Sequence, residues 1–315
     1  MGIGILAGIT WALETITLGY AMALSPFVST AQAVLLAPFV STFLHDVCSA
    51  LWACLYNGVR GHLPDVWRAL RSPGGKFVVL GAIIGGPVGM TGYVLAIHAM
   101  GASIGAVASA VFPAIGAVLA HIFLKEEITP IRWCFLAATL LGVYGLSYSP
   151  ELNLDNFWLG ILGAAMCAFG WGIEAVILAH SMKDGQVKDC YALQIRQTTS
   201  ALVHGCVILP LVGGWGFTAE LVTAHAADVL PWLALAAFFA TFSYLCYFHA
   251  IATIGAAKAM ALNITYAGWA TVFTVVLLGD TTALTPVTLG CTAVVLVCGV
   301  LAATDLRQLV GKPRK

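Results

Sequence analysis

The stretch AFGWGIEAVILAH, residues 168–180, decides how this chain is read, because a near twin, GITWALETITLGY, stands at residues 8–20. Each is an apolar helical run that carries Trp-x-x-Glu, and the two motifs lie 160 residues apart. A carboxylate near the centre of a bilayer costs roughly 2.5–3.5 kcal/mol on insertion scales, so an acid placed there twice points to use. Positions i and i+3 share a helix face, so Trp11 is expected beside Glu14 and Trp171 beside Glu174.

Working outward, the 315 residues are 60% hydrophobic and 9% charged, with a mean hydropathy of +0.95. Soluble domains carry about 25% charged residues, so the chain reads as an integral membrane protein. Ten apolar runs long enough to cross as helices fall near 3–23, 32–56, 77–98, 103–124, 131–149, 157–180, 190–212, 230–254, 257–279 and 284–304. The alternation of a barrel strand is missing, so an all-α membrane fold is expected. The first run has no basic leader and holds Glu14, which marks it as a span rather than a cleaved signal. Nine cysteines stand singly without C-x-x-C, which suggests neither a disulfide framework nor a zinc site.

The loops orient the spans. With a cytoplasmic N-terminus, 13 of the 14 Lys and Arg fall on the cytoplasmic side, and the opposite loops hold only the acids Glu151, Asp155, Glu220, Asp228 and Asp280. By the positive-inside rule both termini are cytoplasmic, and the remaining base, Arg196, lies within a span. The net charge of zero gives no reason to expect nucleic acid.

The Trp-x-x-Glu twins belong to a wider duplication. AIHAMGAS at 96–103 matches AIATIGAA at 250–257, HDVCS at 45–49 sits where RQTTS sits at 196–200, and Thr129-Pro130 matches Thr285-Pro286. The chain therefore divides into five-helix units, 1–149 and 150–306, followed by a cytoplasmic tail, 307–315. Five is odd, so the second unit enters the membrane from the opposite face, the inverted-repeat plan of many secondary transporters. Both halves of a pathway then lie in one chain, and a monomer suffices.

The ionisable residues within spans are Glu14, Asp46, Glu174 and Arg196, with His45 beside Asp46. A carboxylate flanked by an indole suits a poorly hydrated cation, each aromatic wall adding about 0.5–2 kcal/mol once desolvated. Tyr93, Tyr244, Tyr247, Tyr266 and Trp269 are further wall candidates, with Asn263 on the face of Tyr266 and Trp269; each alone is more often a packing or interface aromatic than a ligand contact. Asp46 and Arg196 stand in matching segments of the repeat. They are expected either to pair, or to anchor a gating network with His45, Gln194 and Gln197, or simply to join helices. Glycine-rich runs at 81–92 and 103–120 let helices approach closely, and Pro87 and Pro113 are expected to interrupt their spans. No Walker loop, catalytic triad or H-E-x-x-H appears, so neither an enzyme nor a cofactor is expected.

The segments LHDVCS (44–49), GGPVGM (85–90), FPAIGAVLAHIFLKEEIT (112–129), GWGIEAV (170–176), LQIRQTTS (193–200) and AAKAMALNITYAGWATVF (256–273) resemble, in order, those of the ten-helix, EamA-like branch of the drug/metabolite transporter superfamily, and within it the LicB choline transporters. The resemblance implies a proton-coupled importer of choline, betaine or a related quaternary ammonium compound, working in the cytoplasmic membrane of a bacterium. It carries Trp11 and Trp171 as walls of an aromatic box and Glu174 as a nearby acid, with Tyr244, Tyr266 and Trp269 as compatible walls. It does not imply an acid at Glu14, where this chain departs from the pattern. A superfamily exporter of cationic drugs or amino acids is the alternative, and a scaffold or head-group enzyme is a third.

Overall fold

The computed structural model describes residues 1–100, 102–147, 157–281 and 284–305. Among these the chain is helical, without strands. Low-charge apolar runs must bond their own backbone in lipid, and helices do so within a single segment. Among the described residues nine helices are long and apolar enough to cross a membrane: α1 (Gly2–Met22), α3 (Ala31–Val59), α5 with α6 (Pro73–Ile83, Gly89–Met100), α8 (Pro130–Ser147), α9 (Phe157–Met182), α10 with α11 (Asp189–Val203, Leu209–Val212), α13 (Ala226–Ile254), α14 with α15 (Ala256–Asn263, Tyr266–Leu278) and α16 (Pro286–Ala303). The helix α7 (Ala102–Phe123) completes ten. Three connections carry further helices that the sequence pattern does not announce: α2 (Ser25–Val28), α4 (Leu63–Arg71) and α12 (Trp215–Ala224). The 149/150 boundary, the acids Glu151 and Asp155 and the tail 307–315 lie outside the described residues.

The helices pack in matched pairs. α1 lies against α13 as α9 lies against α6, and α1 against α15 as α9 against α7. α13 meets α3 as α5 meets α10, while α3 with α10 and α8 with α16 pair directly. Two five-helix repeats related by a two-fold axis require this set of partners. The exterior is apolar, with Val59, Leu141, Trp158, Leu211 and Val276 strongly exposed, whereas Ser49, Gln197, Ser200, His204, Thr241 and Ser243 are buried. Helices that turn aliphatic chains to lipid and polar chains to one another associate through close packing and hydrogen bonds.

Proline acts in two ways. Pro87 sits in a π-helical segment, Ile84–Val88, that joins α5 to α6, and a second π segment, His204–Ile208, joins α10 to α11. A π turn widens the helix locally and frees a carbonyl, a common arrangement at functional sites. Pro113, expected as an interruption, instead lies inside an unbroken α7. The expected single span 257–279 is itself divided, at Ile264 and Thr265 between α14 and α15.

At the end where α1 stops and α3 begins, Phe27 of α2 and Leu221 of α12 are fully buried with Leu36, Val40, Leu209 and Leu233 in a small apolar core. The larger core lies around α9, α10, α13 and α14. Between the two is a cavity.

Candidate functional site

The cavity holds about 150 Å³ and is lined from α1, α3, the first π segment, α6, α7, α9, α10, α13, α14 and α15. Its acids are Glu14, Asp46 and Glu174, and Arg196 is the base facing them with His45. Rings of Trp11, Trp171, Tyr244, Tyr247, Tyr266 and Phe112 form much of the wall. Trp11 meets Tyr244 edge-on at 4.9 Å and Tyr266 at 6.3 Å; Phe112 meets Trp171 edge-on at 5.7 Å.

Each half contributes differently. On α9, Glu174 is 7% exposed and accepts from Arg196 Nε at 2.9 Å and from its Nη2 at 3.5 Å. The guanidinium also lies 5.0 Å from the centre of the Tyr244 ring, and its Nη1 donates to Gln197 Oε1 at 2.5 Å. Trp171 is held by its indole, which donates to Gly85 O at 2.8 Å within the first π segment. On the other side, Glu14 has no guanidinium. Its Oε1 is 3.6 Å from His45 Nε2, and His45 Nδ1 is 3.6 Å from Asp46 Oδ1, so one imidazole stands between two carboxylates. Asp46 accepts from Ser200 Oγ at 2.6 Å and lies 3.6 Å from His204 Nδ1. His45 Nε2 and His204 Nε2 are buried without a hydrogen bond.

At formal charge, three carboxylates face one guanidinium, which leaves two negative charges in the cavity when both imidazoles are neutral. Buried charge of one sign is expensive unless countered, so the site attracts cations or protons. Among the described residues no group of three or more His, Cys, Asp and Glu is arranged to hold a metal ion.

Ten crossings packed as matched pairs around one polar cavity define a transporter-like plan. Residues 1–148 match the EamA-like transporter family. Protein LicB of Haemophilus influenzae (strain ATCC 51907 / DSM 11121 / KW20 / Rd) is 28% identical over 267 residues, 85% of this chain and 85% of that protein. A solved crystal structure aligns with a TM-score of 0.68 over 98% of this chain and 97% of its own, at 18% identity, and so shares the fold. Together these likenesses support a multi-pass membrane transporter.

The structure brings Trp11, Glu14, His45, Asp46, Trp171 and Glu174 to one cavity, and with them Arg196, Tyr244, Asn263 and Tyr266. It does not bring three others there. Tyr93 packs against Trp171, ring centres 6.0 Å apart, Trp269 stacks on Phe273 at 6.3 Å, and Gln194 donates to Ala50 O and Thr198 Oγ1. The expected Asp46–Arg196 pair is also corrected: Arg196 reaches across to Glu174, and Asp46 is satisfied by Ser200. Ser200 lies one turn beyond Arg196 on α10, which is why the hydroxyl rather than the guanidinium meets Asp46. Sequence reasoning passed over Ser200 and Phe112 and gave His204, one of the histidines within the spans, no role. The signal for Ser200 and His204 was the LQIRQTTS segment and its continuation, where polar residues recur on one face of an apolar span.

Proposed function

We propose that this protein is a proton-coupled secondary transporter that imports choline or a related quaternary ammonium compound. The observation that carries the reading is the cavity's two uncompensated negative charges inside a wall of aromatic rings. A quaternary ammonium has no N–H to donate, so it is held by charge and by ring quadrupoles, both of which the cavity supplies. Two surplus negative charges are neutralised by one organic cation and one proton together, which supports symport. Glu14 with His45 is assigned to the proton and Glu174, Trp171, Trp11 and the tyrosines to the cation. The loop charges support cytoplasmic termini, the inverted units 1–149 and 150–306 support alternating access, and one chain suffices as a monomer in a bacterial inner membrane.

One observation favours a second reading. Arg196 faces the cavity, and a zwitterionic amino acid presents a carboxylate that competes with Glu174 for it. Calorimetric titration of the purified protein with choline, betaine, tetramethylammonium and an aromatic amino acid, in acidic and alkaline buffer, separates the two. Saturable, pH-dependent binding of the quaternary compounds is expected, weakened about tenfold in Trp171→Ala by loss of one aromatic wall. Silence from every quaternary compound with binding of the amino acid would move the substrate to the second reading.

A further inference from the structure

Arg196 already holds much of what a substrate cation needs. Its guanidinium bonds the Glu174 carboxylate through Nε at 2.9 Å and lies 5.0 Å from the centre of the Tyr244 ring, and all three residues line the cavity. An acid and an aromatic face are the elements of an organic-cation site. A second cation brought against Glu174 meets a like charge at close range, and like charges in a desolvated site exclude one another.

The seat is not tight, and a second one is near. Nη2 stands 3.5 Å from Oε2, short of the parallel two-bond fork that makes an Arg–carboxylate pair strong. Asp46 lines the same cavity from α3, and Ser200, one turn beyond Arg196 on α10, donates to it at 2.6 Å. A flexible arginine side chain spans one helical turn. Asp46 is otherwise faced by the imidazoles of His45 and His204, each at 3.6 Å, while the Arg196 guanidinium in the same cavity is bonded to Glu174 instead.

We propose that Arg196 is a tethered competitor of the substrate: an organic cation takes Glu174 and Tyr244 only as the guanidinium leaves them and moves one turn along α10 to Asp46. The inference rests on the reading of the cavity as an organic-cation site. It adds a consequence for the helices. Arg196 Nη1 bonds Gln197, whose Nε2 donates to Ser49 Oγ at 2.6 Å, and Ser49 is 2.7 Å from Thr241 Oγ1. Displacement of the guanidinium therefore acts on a chain that ties α10 to α3 and α13. Substrate binding is coupled by this route to the pairs of helices that enclose the cavity.

The test is a sign. Arginine serving only as helix glue predicts that Arg196→Ala weakens ligand binding or leaves it unchanged; a competitor predicts that binding tightens. Calorimetry of tetramethylammonium is expected to give about tenfold higher affinity for Arg196→Ala than for wild type, the factor by which removing a competing state raises apparent affinity when the open seat is about one-tenth populated. Methylguanidinium is expected to bind Arg196→Ala saturably and to compete there with tetramethylammonium, and to leave wild type unaffected. Uptake by Arg196→Ala slows although binding tightens. If the variant does not fold, wild-type protein labelled with 15N-arginine serves instead: the Arg196 Nε–H resonance, assigned through Arg196→Lys, moves on saturation with tetramethylammonium. Binding to wild type without tightening in the variant, or an unmoved resonance, overturns the competitor and leaves the proposed function standing. Tetramethylammonium bound by neither protein overturns both.

Discussion

A methyl group built on Gly85 falls 1.9 Å from Glu174 Oε2, and one built on Gly86 falls 2.3 Å from Ser200 Oγ. The two glycines therefore set how closely the first π segment approaches the acid of α9 and the hydroxyl of α10. Gly85→Ala is expected to push the Glu174 carboxylate away from Arg196, costing about 1–3 kcal/mol of stability as overpacking does. Ligand affinity falls with it, and thermal melting with a parallel titration measures both effects. At this scale the sequence was legible where a rule of spacing applied: Trp-x-x-Glu puts Trp11 with Glu14 and Trp171 with Glu174, and all four face the cavity. It was not legible where a partner had to be chosen among several. Four ionisable groups in spans admit more than one pairing, and only the packing of α9 on α10 selects Glu174 for Arg196. The GGPVG run reads as close helix approach, but that Gly85 and Gly89 approach Glu174 and Trp171 in particular depends on the register of α5 and α6 against α9.

Between elements, the loop acid Glu126 fastens α14. Its carboxylate accepts from the backbone N–H of Ala256 at 2.7 Å and of Ala257 at 3.1 Å, at the helix N-terminus where the first amides lack intrahelical partners. The preceding Gly255 has φ 91°, a conformation glycine adopts readily, and a methyl group there meets Glu126 at 2.8 Å. Replacing the carboxylate removes both a cap and a favourable charge at the dipole's positive end, together about 1–2 kcal/mol. Glu126→Ala is expected to lower stability by that amount and to speed hydrogen exchange at Ala256 and Ala257 above all other amides; uniform exchange with unchanged stability would show the cap to be idle. The sequence located the spans because about 20 apolar residues are hard to mistake: 3–23 was expected and Gly2–Met22 is found. It missed α2, α4 and α12, which are too short for periodicity to register, and it missed Glu126, whose partner is 130 residues away. It also misjudged Pro113, which lies inside a continuous α7 rather than dividing it.

For the molecule as a whole, charge and symmetry act together. The matched helix pairs bring Glu14 of α1 and Glu174 of α9 to one cavity, but of these two acids only Glu174 is bonded to a guanidinium among the described residues. The symmetry of the fold is thus broken in its electrostatics. One acid is held by a resident cation and the other stands against an imidazole, and the proposed division between a cation at Glu174 and a proton at Glu14 rests on that asymmetry. If each import cycle neutralises two surplus negative charges with one quaternary ammonium and one proton, two positive charges cross together. Each charge gains about 2.3 kcal/mol per 100 mV of membrane potential, so uptake responds to potential twice as steeply as for a uniporter of the same cation. In proteoliposomes, the reversal potential measured across a series of proton and tetramethylammonium gradients is expected to give about two charges per substrate. Glu14→Gln, nearly isosteric, is expected to bring that ratio to about one while tetramethylammonium still binds, because Glu174 and the aromatic wall remain. A ratio of two retained in Glu14→Gln would place the proton elsewhere in the cavity, on Asp46 with its two imidazoles. The same measurement on Asp46→Asn then decides between them, since a residue that carries the coupled proton cannot be neutralised without lowering the charge moved per cycle.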